Sequence, residues 1–236
     1  MTEPSGASGS SWGSGPGVIT RDGCAVDLYA RLPVGRDAEV IASALRDGAE
    51  ILDLGAGAGR LTHALTARGH SVVAVDESAE MLAHIRGAET VHGSIAALEL
   101  GRRFDAVVLA SHLVNTPSPE ERHRLLRACR RHCRPDGNVV LQRHTREWAE
   151  SVRPGRQEKD GIAVELRDPV HGPGGAVTAT VRYSIGASEW IHHFTAVGLD
   201  DVALTDALDH TGLRLDRWLT EDGTWVSAVP VPPRPR

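Results

Sequence analysis

The chain has 236 residues, 41% hydrophobic and 24% charged, with a formal net charge of −5. That length supplies one sizeable core, and the composition excludes a disordered chain. The acidic balance argues against a broad nucleic-acid surface, and no apolar run is long enough to span a membrane.

No positive flank and apolar stretch of a secretory signal is read near the start, so the expected location is the cytoplasm. Cys24, Cys129 and Cys133 are too few for a disulfide framework. Cys129 and Cys133 share one helical face but lack further ligands, so free thiols are expected and no metal site.

Residues 1–17 are rich in glycine and serine and read as a flexible tail, unusual in carrying Trp12. Residues 18–236 read as one domain. A helix fits Arg36 to Arg46, followed by a buried strand at Ile51 to Leu54. Arg60 to Arg68 reads as a helix stopped by Gly69, Ser71 to Val75 as a strand, and Ser78 to Arg86 as a crossover helix. A short strand fits Thr90 to His92, and Phe104 to Ala110 is apolar enough to lie mid-sheet. Ser118, Pro119 and Glu121 spell a capping box for a helix running to about Cys133. RPDG then reads as a turn before a strand at Asn138 to Gln142.

This alternation points to a parallel sheet with helices on both faces. The pattern changes after His144. Ile162 to Arg167, Ala176 to Tyr183 and Glu189 to Phe194 read as an antiparallel ribbon of two or three strands, inserted at about residues 152–197. A helix at Asp200 to His210 and a hairpin of Leu213 to Leu219 and Thr224 to Val229 close the chain.

The stretch ILDLGAGAGR, Ile51 to Arg60, ends a strand in glycines and opens a helix. Such a turn brings bare backbone close to a ligand at the carboxyl ends of the strands. The next strand ends in Asp76, placed to accept hydrogen bonds from ribose hydroxyls. An adenosine-containing cofactor is therefore expected. The spacing is Gly55-x-Gly57-x-Gly59, not the Gly-x-Gly-x-x-Gly of a dinucleotide site. Asp53 just before it suits an ammonium better than a pyrophosphate.

At these residues the sequence resembles the class I S-adenosylmethionine-dependent methyltransferases. Asp53-x-Gly55-x-Gly57-x-Gly59 is similar to their first motif, and VVAVDESAEML to their second-strand acid and the segment after it. The resemblance covers Ile51 to Gln142 well and extends more loosely to the final helix and hairpin. It implies an α/β, Rossmann-like fold: a seven-stranded, mostly parallel sheet with an antiparallel last strand, the antiparallel ribbon acting as a lid. It implies S-adenosyl-L-methionine as cofactor. Asp53 would sit near the methionine ammonium, Gly55, Gly57 and Gly59 would form the turn, and Asp76 would hold the ribose. Met81 would lie against adenine. Ser94 and Ile95 occupy the place of the adenine-edge motif, where Ser94 replaces the family's acid. Ala110 and Ser111 would end the fourth strand of that sheet beside the cofactor.

Methyl transfer from a sulfonium mainly needs a nucleophile aligned about 3 Å from the methyl, with water excluded. A general base helps when the acceptor must lose a proton. His112 and His144 follow strands whose carboxyl ends meet the cofactor edge, and are the candidate bases. Asn115 is a candidate to orient a substrate polar group. Trp190 and His192 share one face of the ribbon, and with Tyr29 would line the crevice if the ribbon covers it.

The expected activity is methyl transfer to nitrogen or oxygen of a small molecule, such as a specialised metabolite, with neither nucleic acid nor membrane as partner. A non-methylating cyclisation or rearrangement promoted by the sulfonium, a non-catalytic cofactor-binding subunit and a NAD-dependent oxidoreductase are the alternatives. Acceptor atom, metabolite and oligomeric state are left open.

Overall fold

The computed structural model describes residues 11–232. The first elements are a short strand β1 (Trp12–Ser14), a one-turn helix α1 (Val26–Tyr29) and helix α2 (Asp37–Ala42). Then β2 (Glu50–Leu54), α3 (Arg60–Thr66), β3 (Ser71–Asp76), α4 (Ala79–Leu82), β4 (Glu89–His92) and β5 (Phe104–Leu109) alternate. Helix α5 (Pro119–His132), β6 (Cys133–Gln142) and α6 (Arg146–Ser151) lead into four antiparallel strands: β7 (Gly155–Lys159), β8 (Ile162–His171), β9 (Ala176–Ile185) and β10 (Ser188–Val197). Helix α7 (Asp201–Asp209), β11 (Leu213–Trp218) and β12 (Trp225–Pro230) follow.

The main sheet has the order β11-β12-β6-β5-β2-β3-β4. Strands β4, β3, β2, β5 and β6 are parallel, and β12 runs antiparallel to both of its neighbours. This is the seven-stranded, mostly parallel arrangement expected. Successive residues on β2, β5 and β6 face opposite sides and are apolar on both, so helices cover the sheet twice. Leu52, Leu54, Val107, Leu109 and Leu141 pack with Leu125, Leu126, Leu204 and Leu208 of α5 and α7. Ile51, Ala106, Val108 and Val140 pack with Ile41, Leu61 and Leu65 of α2 and α3. Each fully buried leucine or isoleucine contributes roughly 1.5–3 kcal/mol. From β2 the chain moves one way to β3 and β4, then returns to build β5 and β6 on the other side. That reversal opens a crevice at the carboxyl ends of β2 and β5.

Three local readings are corrected. Helix α4 is a single turn, not a helix to Arg86, because the Arg86 N–H donates to His63 Nε2 at 3.0 Å. The capping box of α5 is one-sided: Ser118 Oγ accepts from Glu121 N at 3.2 Å, while the Glu121 carboxylate pairs with Arg124. RPDG is not a turn but an irregular stretch within β6, where pairing jumps from Phe104↔Cys133 to Ala106↔Asn138. Arg134 anchors it to Asp105 and Glu50.

The lid is larger than a ribbon of two or three strands. It is a five-stranded antiparallel sheet, β1-β10-β9-β8-β7. Of the expected flexible tail, residues 1–10 lie outside the described residues. Trp12–Ser14 is instead an edge strand paired with Ile191–His193, and Trp12 stacks on His193 with ring centroids 5.4 Å apart.

Candidate functional site

The glycine turn is pinned to the neighbouring strand. The N–H groups of Gly55 and Ala56 both donate to the Val75 carbonyl at 2.9 Å. Asp76, at the end of β3, accepts from Gly57 N at 2.8 Å through one oxygen and from Ser78 N at 2.9 Å through the other. One carboxylate thus joins the two motifs. It does not cap α4, whose cap is Ser78, with Oγ accepting from Met81 N at 3.1 Å. Burial raises the Asp76 pKa, and these backbone donors oppose the shift.

All three glycines have positive φ, at 72°, 55° and 89°. A Cβ on Gly55 would lie 2.6 Å from Leu113 Cδ1, and one on Gly59 would crowd Ile85 and His63. A Cβ on Gly57 would meet nothing within 4 Å. The backbone is therefore exposed at the middle glycine, while the outer two are packed from behind. Asp53 is buried beneath the turn and accepts from Thr62 Oγ1 at 2.7 Å. Burial pushes its carboxyl up to about 6, against the Thr62 hydrogen bond and the charge of Arg60.

Other expected contacts surround this turn. Met81 is buried and packs with Ala58 and Val26, flanked by Cys24 and Tyr29. Ile95 is buried, and its Cδ1 is 3.6 Å from the Cβ position of Gly55; Ser94 beside it is exposed. Ala110 is buried at the end of β5, and the exposed Ser111 donates its N–H to Gln142 Oε1 at 2.9 Å. Ser111 and His112 both hold left-handed backbone, at φ 53° and 57°. Two such non-glycine residues in succession are strained, and strain of this type concentrates at functional sites. A cavity of about 250 Å³ lies beside the turn, bounded by Ala58, Arg60, His63 and His84 on one side and by Tyr29, Ala30, Leu32 and Val34 on the other.

The structure brings His112 and His144 together. Their rings stack with centroids 3.5 Å apart, and His144 stacks in turn on Trp148 at 3.6 Å. Burial lowers the pKa of His112 to about 4. For His144, burial and then the adjacent His112 lower it to about 2. Both imidazoles are neutral at pH 7. The Nδ1 of His112 is buried and has no hydrogen-bond partner among the described residues.

Asn115 and Trp190 do not present free polar groups to the crevice. Asn115 is buried; its Nδ2 donates to the carbonyls of His144 (2.8 Å) and Val197 (2.7 Å), and its Oδ1 accepts from His144 N at 2.8 Å. Trp190 is buried against Leu28 and Ala25, and its Nε1 donates to Pro16 O at 2.9 Å. Its neighbours Tyr29 and Tyr183 are less buried. His192 is half-buried, its Nε2 3.3 Å from Asp22 O and its ring 6.1 Å from that of Phe194.

Four residues that build the site were not singled out from sequence: Thr62 under Asp53, Gln142 behind Ser111, Trp148 on His144, and Arg143. Arg143 is buried between β6 and the final hairpin, reaching Leu199 O, Gly223 O and Asp201. The four-residue spacing of His144 and Trp148 was the one available signal, since it stacks rings across a helix start.

Residues 51–137 match the methyltransferase domain family. The cypemycin N-terminal methyltransferase of Streptomyces sp is 35% identical over 102 residues, which are 40% of this chain and 42% of that protein. The ubiquinone biosynthesis O-methyltransferase of Pseudomonas aeruginosa is 32% identical over 104 residues, 40% of this chain and 44% of that protein. The chain thus matches less than half the length of these curated relatives. The structure of an S-adenosylmethionine-dependent methyltransferase from Clostridium acetobutylicum superposes with a TM-score of 0.70 at 14% identity, covering 87% of this chain and 95% of that one. With the strand order, the glycine turn and the acid that closes it, these matches place residues 51–137 in the methyltransferase domain family and give the described chain the fold of that solved methyltransferase.

Proposed function

We propose that the chain methylates a nitrogen or oxygen of a small molecule, using S-adenosyl-L-methionine. The observation that carries this reading is the Gly57–Asp76 contact: bare backbone beside a carboxylate, on adjacent parallel strands, at the point where the sheet reverses direction. The residues fit the cofactor. The space over Gly57 is open, Asp76 offers acceptor oxygens for ribose hydroxyls, and Asp53 supplies a buried charge for an ammonium. Gly55 and Gly59 shape the turn; Met81, Ser94 and Ile95 flank the adenine end; Ala110 and Ser111 flank the methyl end. When bound, the cofactor supplies an electrophilic methyl group on a sulfonium.

The protein's own contribution is orientation and proton transfer. Holding an acceptor in line contributes roughly 7–11 kcal/mol. A neutral imidazole of the His112–His144 pair accepts the acceptor's proton, and His192 and Tyr29 border the substrate from the lid and the N-terminal segment. A relative named for N-methylation and another named for O-methylation match the same region, so nitrogen and oxygen acceptors both stand.

Calorimetric titration with S-adenosylhomocysteine, with NAD as comparator and Asp76→Ala as control, tests the cofactor. Selective binding that weakens at least 10-fold in the variant is expected. Binding of NAD instead, or of neither, would overturn the reading. Product mass, raised by one methylene unit, tests the transfer itself.

A further inference from the structure

The two faces of the lid differ in kind. Strand pairing places Val164, Tyr183 and Trp190 side by side, and next to them Leu166, Val181 and His192. Phe194 continues the same face opposite Ala179. Along β8, β9 and β10 from Ile162 to Leu166, Val177 to Ile185 and Ser188 to Ala196, this face holds no Asp, Glu, Lys or Arg. The opposite face carries Glu165, Arg182 and Glu189, which pair among themselves. Charge lies only at the margins of this stretch: Asp168, in the bulge of β8 opposite Ala179, and Lys159, paired with Ile162 on the exposed edge strand β7.

The uncharged face is the one turned toward the crevice. At one end it packs on the N-terminal segment, where Trp190, Tyr183 and Ile185 meet Leu28 and Tyr29. At the other end Leu166 and Phe194 join the cluster that includes Trp148, the last ring of the histidine stack. Between these covers Val164, Leu166, His192 and Phe194 keep partial exposure. The histidine wall is also without net charge. The two charged groups whose fields reach His112 from other elements, Asp37 and Arg60, neutralise each other in an ion pair of 2.7 Å. Arg143, next to His144, is paired with Asp201.

Two charges of opposite sign face this strip from the N-terminal segment, Asp22 beside His192 and Arg31 over Trp190. An ammonium or carboxylate entering by Val164 and Phe194 would lose water and find no counter-charge on the lid face itself, which is costly. A flat neutral ring would lose only apolar hydration and would stack on rings already aligned. Resting on the methyltransferase reading, we propose that the substrate's acceptor end is an uncharged, flat ring system, held between the inner lid face and the His112–His144–Trp148 stack.

The test uses three matched probes: 2-naphthol, 2-naphthoate and 2-naphthylmethylammonium. Each is titrated by calorimetry into the full chain at pH 7.5, with and without saturating S-adenosylhomocysteine. The expected result is that 2-naphthol binds at least 10-fold tighter than either charged probe. Phe194→Ala should weaken it about 5-fold or more while leaving S-adenosylhomocysteine affinity unchanged. Val164→Arg should reverse the order in favour of the carboxylate; Phe194→Ala, a milder change, keeps the test valid if that variant fails to fold. Equal or tighter binding of a charged probe, no binding of any probe, or an indifferent Phe194→Ala would overturn the inference. Failure of S-adenosylhomocysteine to bind while 2-naphthol still does would sink the cofactor reading and leave the crevice assignment standing.

Discussion

The side chain of Asn115 grips the backbone of His144 at both its N–H and its carbonyl, at 2.8 Å each. The same amide nitrogen reaches Val197 O at 2.7 Å, where the lid's last strand ends. One buried side chain on the β5 side therefore fixes the histidine after β6 and the exit of the lid. Gln142 makes the reverse stitch, accepting from Ser111 N across the same two strand ends.

Asn115→Leu would leave the His144 N–H and the Val197 carbonyl without this partner, while the His144 carbonyl keeps the Leu199 N–H at 3.0 Å. A buried group left unpaired costs about 1–3 kcal/mol. A loss of about 3 kcal/mol or more is expected, with Tm lower by roughly 6–12 °C. Thermal unfolding followed by circular dichroism measures it. A Tm within about 2 °C of the parent would show that the amide is not a clamp.

The parallel sheet was legible because its strands announce themselves. ILDL and FDAVVL are short, apolar on both faces and followed by turn residues. The glycine turn and Asp76 were legible because their chemistry is local. What escaped was set by tertiary contact. GRQEK has no alternation, yet β7 forms because β8 offers it an edge. Trp12 sits among glycines and serines, yet β1 forms because Ile191 and its neighbours on β10 offer it an edge, with Gly13 packed tightly against Gly23. Asn115 and Trp190 have the polar groups of ligand contacts, yet their partners, Val197 and Pro16, lie 82 and 174 residues away along the chain.

Gly55 and Gly57 separate stability from binding. Alanine at Gly55 must adopt φ near 72° and also press Leu113 Cδ1. The left-handed strain alone is roughly 1–2 kcal/mol, and the contact adds to it. Alanine at Gly57 carries only the strain, because its methyl enters open space. Gly55→Ala is therefore the less stable variant in urea unfolding. Gly57→Ala should stay close to the parent, within about 2 kcal/mol, yet lose S-adenosylhomocysteine binding at least 10-fold. Unchanged binding would mean that the open space over Gly57 is not where the cofactor lies.

Asp53 imposes a pH dependence of definite sign. Its folded pKa, about 6, lies above the ordinary 3.8. Between these values the folded chain holds a proton that the unfolded chain has released. Stability from this group is present at low pH and lost as pH rises from about 4 through 6. Asp53→Asn, which can still accept from Thr62, should exceed the parent at pH 7.5 by up to about 3 kcal/mol and match it near pH 4. Binding takes the opposite course. If the carboxylate receives an ammonium, S-adenosylhomocysteine affinity falls as pH drops through 6, and the variant shows a flat profile at weaker affinity. A parent affinity that ignores pH between 5 and 7.5 would remove Asp53 from the site.

The histidine pair pulls stability the other way. Burial holds His112 at about 4 and, with its neighbour, His144 at about 2, both below the ordinary 6.5. As pH falls from 6.5 toward 4, the unfolded histidines take up protons that the folded pair refuses. Stability from the pair is therefore complete above pH 6.5 and drains away on acidification. Replacing His112 by phenylalanine keeps a flat ring on His144 and removes one refusing site, so acid sensitivity in this window should shrink by about half. The ring protons of both histidines, followed by NMR, should show no titration above pH 5 in the parent. Titration of either near 6.5 would mean that the rings are open to water. The pair presents neutral nitrogens throughout the working range, yet pKa values this far below it make a weak general base, so His112→Phe should cost less in turnover than the roughly 10²–10⁴-fold of a well-matched base.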